Sequence, residues 1–439
     1  MLALMLMAAI QLPTPSPRQL AWHDLETYAF VHFGPNTFTG EEWGHGREDP
    51  RIFNPTNLDC DQWARTFKSA GLKAVIITAK HHDGFCLWPS RYSAHTVARS
   101  PWKNGRGDVL RELSEACRKH GLRFGVYLSP WDRNHPTYGT PQYNEIFAKM
   151  LREVLTSYGP VFEVWFDGAN GEGPNGKRQV YDWELFVRTV RECQPNAVIF
   201  SDAGPDVRWV GNERGYASET NWATLRRDEF FPGTPRHGEL GLGHEDGAYW
   251  VPAECDVSIR PGWFWRASED DKVKSVKELV EIYFASVGRG GSLLLNVPPN
   301  REGVISDVDA RRLQEWRMAL DREFRHEVVT TGIEQLRDGK RDTFMSAAEP
   351  LQLEVPGQAK FDRIILSEAI QFGQRVRAFR VEALVGGAWT DVASGTTIGP
   401  KRILRVPPVA ASAVRVTMTP RRPDLEPRIS ELRLFRSEL

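Results

Sequence analysis

Short apolar runs alternate with amphipathic stretches from about residue 20 to residue 325, and this alternation predicts strands and helices in turn. Tyr28-Ala29-Phe30-Val31-His32-Phe33 reads as a strand. A helix over 61–70 follows, with Trp63, Phe67 and Ala70 on one face and Gly71 as its stop. The next strand runs over 73–78. Asp108 then caps a helix that uses Leu110, Leu113 and Cys117 and closes at Gly121. A strand over 123–128, a helix over 143–158 and strands over 162–167 and 197–201 continue the pattern. It ends with a helix over 274–287 and a strand over 292–297.

Strands separated by helices pair in parallel, and strands apolar throughout belong to a sheet covered on both faces. The predicted class is therefore α/β, as a (β/α) barrel over 20–327, with a doubly wound sheet as the alternative. Irregular sequence between about 203 and 265 predicts degenerate later repeats. Beyond residue 328 the texture becomes short strands, at 351–355, 363–366, 379–384 and 413–417, set between Gly, Pro and Asp turns. That reads as a C-terminal β-sandwich over 328–439.

A chain of 439 residues suits about two to three domains. Its 41% hydrophobic and 26% charged residues are those of a globular protein. A formal net charge of -1 provides no electrostatic basis for a nucleic-acid or membrane partner. Five cysteines without a CxxC pair or zinc-ligand spacing read as free thiols. Residues 1–10 are apolar but lack a leading Lys or Arg, so 1–19 is either a signal segment or a frayed terminus. The protein is exported in the first case and cytoplasmic in the second. No run is long enough to span a bilayer.

In a parallel barrel, side chains at the C-terminal strand ends line the active site. That rule selects His32, His81 with His82, Tyr127 and Asp167 from four different predicted strands. Trp165 lies two residues from Asp167 and shares its face of the strand. Glu42-Trp43 sets an acid beside a ring able to cover an apolar sugar face. A second carboxylate comes from a loop: Glu213 between Gly211 and Gly215 on flexible backbone, with Glu219, Glu245 and Asp246 as competitors. Two carboxylates on a rigid scaffold suffice for displacement at a sugar carbon. Adjacent histidines on a strand point to opposite faces and no H-x-H pair exists, so hydroxyl recognition fits them better than metal binding. A metal-dependent barrel hydrolase using His32, His81, His82 and Asp167 is one rival reading. A non-catalytic glycan-binding protein is the other.

With these residues assembled, the chain resembles the retaining alpha-L-fucosidases of glycoside hydrolase family 29 over about residues 20 to 325. The likeness rests on Val31-His32-Phe33-Gly34, Glu42-Trp43, Lys80-His81-His82-Asp83-Gly84-Phe85, Tyr127-Leu128-Ser129 and Trp165-Phe166-Asp167-Gly168. It implies Asp167 as nucleophile, and His32, His81, His82, Glu42, Trp43 and Tyr127 as sugar-binding residues. Trp209-Val210-Gly211-Asn212-Glu213 is similar to the acid/base motif of the subgroup that prefers alpha-1,3 and alpha-1,4 linkages, which places that role on Glu213. The single C-terminal sandwich, similar to discoidin-like modules, fits the same subgroup. Fucose carries a C5 methyl, for which Trp263, Phe264 or Trp265 supplies an apolar wall, and Arg260 or Trp263 is expected to touch the sugar. The implied partner is a fucosylated oligosaccharide or glycoconjugate, with no cofactor and no metal.

Overall fold

The computed structural model describes residues 12–438. The apolar stretch over 1–10, read above as a signal segment or frayed end, lies outside the described residues. Eight strands close a parallel barrel: β1 (Thr27–Val31), β2 (Ala74–Lys80), β3 (Arg123–Leu128), β4 (Val161–Trp165), β5 (Val198–Ser201), β6 (Val207–Trp209), β7 (Ala253–Ser258) and β8 (Ser292–Asn296). Each pairs in parallel with its chain neighbour, and β8 returns to β1 with Tyr28 opposite Leu294. The (β/α) barrel is thus the observed fold, and the doubly wound alternative is not.

Local chemistry sets the outer helices. The side chains of Asp59, Asp108 and Asp182 accept from backbone N–H groups of α2 (Cys60–Ser69), α3 (Val109–His120) and α5 (Trp183–Cys193), while α1 (Pro17–His23) opens with proline and α4 (Pro141–Ser157) does likewise. Ser275 and Glu278 form a capping box on α6 (Val276–Ser286), and Ser306 caps α7 (Asp307–Glu323). Gly121 ends α3 in the left-handed conformation, which a glycine adopts without strain. Helix α1 carries Gln19 into the body of the barrel, where its amide donates to the Asp206 and Trp250 carbonyls.

The segment read as irregular contains two barrel strands. Residues 202–206 alone join β5 to β6, with no helix between them. Residues 210–252 join β6 to β7 through a short helix, His237–Leu242, and a ribbon of Thr224–Leu225 against Tyr249–Trp250. β7 escaped the periodicity because Glu254 and Asp256 sit where an apolar run was expected. Both are buried inside the barrel and hydrogen-bonded there, Glu254 to Tyr28 and Trp165, Asp256 to Trp209.

The C-terminal sandwich stacks two antiparallel sheets. In one, Lys360–Glu368 lies between Arg402–Ala410 and Arg428–Arg436, and His326–Val328 and Met345–Ser346 extend the far side. The other runs Leu351–Glu354, Ala413–Pro420, Val376–Val385, Ala388–Thr396. Pro407 and Pro408 disguise Arg402–Ala410 as a loop, yet an edge strand tolerates proline because one row of its N–H groups needs no partner. Among the described residues, no helix is long and apolar enough to cross a membrane.

Candidate active site

The C-terminal ends of the barrel strands converge on one cluster of rings and acids. His32 follows β1, His81 and His82 follow β2, Asp167 lies just past β4, and Asn296 ends β8. The Asn296 carbonyl oxygen accepts from His32 Nδ1 at 2.9 Å, and its amide donates to Ser258 Oγ at 2.9 Å and the Trp263 carbonyl at 2.8 Å. That pattern places the proton on His32 Nδ1 and leaves Nε2 as an acceptor. A parallel device acts on His82. Ser129 Oγ donates to the Trp131 carbonyl at 2.8 Å, so it accepts from His82 Nδ1 at 2.8 Å, and His82 Nε2 lies 3.6 Å from Asp167 Oδ2.

Asp167 is held at both oxygens. Tyr127 donates its hydroxyl to Oδ2 at 3.0 Å, and the Ala169 N–H donates to Oδ1 at 2.7 Å. Two donors fix the orientation of the carboxyl group. The side chain keeps 27% of its surface, enough to meet a substrate. Beneath it, Trp165 stacks on Phe200 at 4.0 Å and on Tyr127 at 5.2 Å, and donates its indole N–H to Glu254 at 2.7 Å. His81 stacks on the other side of Tyr127 at 5.7 Å and meets Phe264 edge-on at 5.1 Å. One tier of aromatic rings therefore carries the nucleophile candidate and the imidazoles together.

Glu213 stands on a braced loop. Gly211 and Gly215 both have positive φ, and a Cβ on Gly211 would strike the His237 carbonyl. One on Gly215 would come 2.9 Å from the Val257 and Ile282 side chains. Arg214 also pairs with Val257. The loop expected to be flexible is thus packed on β7 and α6, and its glycines serve close approach. Trp263 donates its indole N–H to Glu213 at 3.4 Å, and its ring lies 5.0 Å from that of His32. Glu42 accepts from the Trp263 backbone N–H and pairs with Arg266, so it ties two mouth loops together. Trp43 is 55% exposed and edge-on to His82 and Trp131, free to stack on a ligand.

The competing acids lie elsewhere. Glu219 pairs with Arg289 and Arg402, Glu245 with Arg377, and Asp246 with Arg226. The structure does not bring Arg260 to the site either. Its guanidinium is 0% exposed and bonded to Asp309 at 2.8 Å, Asp270 at 2.8 Å, Ser306 and the Arg266 carbonyl. Its positive charge holds the 260–270 loop onto α7, and every available direction is taken. Trp265 sides with it, its ring 5.7 Å from the Arg260 guanidinium, which leaves Trp263 and Phe264 beside the histidines.

Asp167 and Glu213 line one cleft of about 750 Å³, together with Asp202, Asp256, Trp209 and Phe231. Burial raises the Asp202 carboxyl to about 7, with the Asp167 charge adding to it. Asp256 is pushed well above the carboxylate range by burial and by Glu213. Although Glu213 retains exposed surface, lost hydration raises it too; its indole donor opposes, and Asp167 and Glu42 add to the rise. Asp202 follows β5, and the strand-end rule that selected Asp167 would have found it. Asn296 and Ser129 were missed because nothing in their type or spacing marks them as reactive, and Asp256 because its strand β7 was not predicted. Burial depresses His32 to about 3 and His82 to about 4, so both are neutral near pH 7. Among the described residues, no group of three or more His, Cys, Asp or Glu is arranged to hold a metal ion.

A closed parallel barrel with paired carboxylates at an indole-walled mouth has the layout of a glycoside hydrolase. The profile of the family described as Alpha-L-fucosidase matches residues 18–320. Alpha-L-fucosidase 1 of Arabidopsis thaliana is 42% identical, over 97% of this chain and 88% of its own. A glycoside hydrolase 29 family member from an unknown rumen bacterium is 41% identical with a TM-score of 0.88, over 98% of this chain and 78% of its own. A GH29 fucosidase of Ruminococcus gnavus, solved in complex with fucose, is 32% identical with a TM-score of 0.89, over 98% of this chain and 96% of its own. The chain belongs to the alpha-L-fucosidases of glycoside hydrolase family 29.

Three outcomes follow from this geometry. Tyr127→Phe removes one donor from Asp167 and lowers kcat by about ten- to hundredfold, the worth of a hydrogen bond to a charged group; steady-state kinetics on a simple fucoside measures it. Arg260→Ala leaves Asp309 buried and unpaired, and urea unfolding registers a loss of about 3–5 kcal/mol. KM of the folded variant stays unchanged. The third concerns pH. The unfolded histidines titrate near 6.5, so between about 6.5 and 4 the unfolded chain binds more protons and stability falls with pH. Asp83 and Asp202, both near 7, act in the opposite sense over that range. The histidine share is therefore read as the difference between wild type and His82→Asn: as pH falls from about 6.5 to 4, wild type loses stability relative to the variant.

Proposed function

We propose that the chain is an exo-acting, retaining alpha-L-fucosidase that releases terminal L-fucose from glycans, with alpha-1,3 or alpha-1,4 linkages preferred. The observation that carries this is the pairing, in one cleft, of an Asp167 fixed by two donors with a Glu213 whose pKa is raised. Asp167 attacks the anomeric carbon as the glycosidic bond breaks, and Glu213 gives its proton to the leaving oxygen. Glu213, now a carboxylate, takes a proton from the water that opens the fucosyl-enzyme. Neutral His32 and His82 each offer Nε2 as an acceptor to sugar hydroxyls. Phe264 and Trp263, packed beside His32, form the wall for the C5 methyl, whose burial contributes about 0.8 kcal/mol. The linkage preference is supported by the Trp209-to-Glu213 segment and by the single sandwich.

The mechanism is tested by leaving-group dependence. Asp167→Ala abolishes turnover of every fucoside. Glu213→Ala spares the first step for a dinitrophenyl fucoside, loses about 10²–10⁴-fold on a glycan, and azide restores turnover through a fucosyl azide of retained configuration. Equal losses on both substrates remove Glu213 from the role. Faster action on a nitrophenyl fucoside than on a Lewis-type trisaccharide overturns the linkage preference. Loss of turnover on chelation, restored by added metal, favours the metal-dependent reading instead.

A further inference from the structure

We infer that the C-terminal sandwich is a positioning module for the Glu213 loop, acting through a buried polar joint at residues 219–224. This rests on the acid/base reading of Glu213. The joint begins six residues after Glu213, where the barrel lacks a covering helix. The Gln374 side-chain amide stands in for a strand partner: its oxygen accepts from the Ala223 N–H at 2.8 Å, and its nitrogen donates to the Asn221 carbonyl at 3.1 Å. Arg402 donates to the Glu219 carbonyl at 2.8 Å and to its carboxylate at 2.9 Å. Thr396 and Thr220 share a hydroxyl hydrogen bond of 2.7 Å.

Thr397 Oγ1 accepts from the Asn221 N–H at 3.1 Å, and Thr397 has a φ of 32°. A β-branched residue at positive φ is costly and persists only where surrounding contacts impose it. Gln374, Thr397, Arg402 and Asn221 are all buried. From the barrel side, Arg208 of β6 donates to the Asn221 side chain at 3.1 Å and the Trp222 carbonyl at 2.9 Å. Arg289 donates to the Ala217 carbonyl at 2.9 Å. The segment leaving the Glu213 loop is therefore gripped by both domains, and only residues 214–218 separate the grip from the acid.

The test compares leaving groups in the full-length protein. Gln374→Ala and Arg402→Ala, confirmed folded by their thermal transitions, are assayed on a glycan fucoside and on a dinitrophenyl fucoside. The expected result is a loss on the glycan at least about tenfold greater than on the aryl substrate, because only the former needs the proton. The basic limb of the glycan profile also moves to lower pH as the freed carboxyl regains water, and Arg402→Lys recovers part of the loss. Equal losses on both substrates, or none, overturn the inference. Should the buried variants fail to fold, Thr396→Ala at the exposed rim carries the same comparison. Glu213→Gln is run in parallel. If it discriminates between leaving groups and the joint variants do not, this inference alone fails; if it does not discriminate, the acid/base reading fails and takes the inference with it.

Discussion

Closing a parallel barrel sets the last strand beside the first, and the Asn296 amide sits on that seam. Its one oxygen serves the His32 ring and backbone, while its nitrogen serves Ser258 of β7 and the loop bearing Trp263. The ends of β1, of β7 with its loop, and of β8 are thereby fixed together by one side chain. The tautomer of His32 and the place of Trp263 both follow, and with Trp263 goes the indole that reaches Glu213. An aspartate there would offer no donor to the Trp263 carbonyl, so the amide's mixture of acceptor and donors is what the seam requires.

Below this ring a largely apolar barrel interior also holds carboxyl groups. Glu163 and Glu254 are buried together, both raised by loss of hydration, with Trp22, Tyr28 and Trp165 donating to them. Placing carboxyls under the aromatic tier sets the angle of the Trp165 ring, which supports Tyr127 and through it Asp167. The upper tier of Asp202, Asp256 and Glu213 lies in the same field. The Asp167 charge adds to the rise at Asp202 and at Glu213, and the Glu213 charge adds to that at Asp256.

Much of the fold was legible because β1 to β5 and β8 are apolar runs flanked by caps. Asp108 and Gly121 mark the ends of α3 in the chain as in space. What stayed hidden has two physical causes. β6 is three residues long around a buried Arg208, and β7 bears buried carboxyls, Glu254 bonded to Tyr28 and Trp165 on distant strands and Asp256 to Trp209 on β6, so neither leaves an apolar pattern. Edge strands such as Ala388–Thr396 are largely exposed and carry no alternation to read. At the site, strand ends revealed His32, His81, His82, Tyr127 and Asp167. Spacing could not tell that Arg289 and Arg402 hold Glu219 while Glu213 lines the cleft. Arg260 was drawn toward the sugar by its neighbours in sequence, whereas Asp309, on α7, holds it.

The missing helices between β5 and β7 have a consequence for what counts as the enzyme's working unit. A standard repeat would shield this flank of the barrel with its own helix. Here the chain exposes backbone groups at Asn221 and Ala223 that only the sandwich satisfies. The second domain is in effect part of the outer layer of the sixth repeat, supplied from the far end of the sequence. Barrel and packing unit are then different objects: the backbone of the β6–β7 connection finds its partners across both domains, and a boundary drawn near residue 327 divides the polypeptide without dividing that packing.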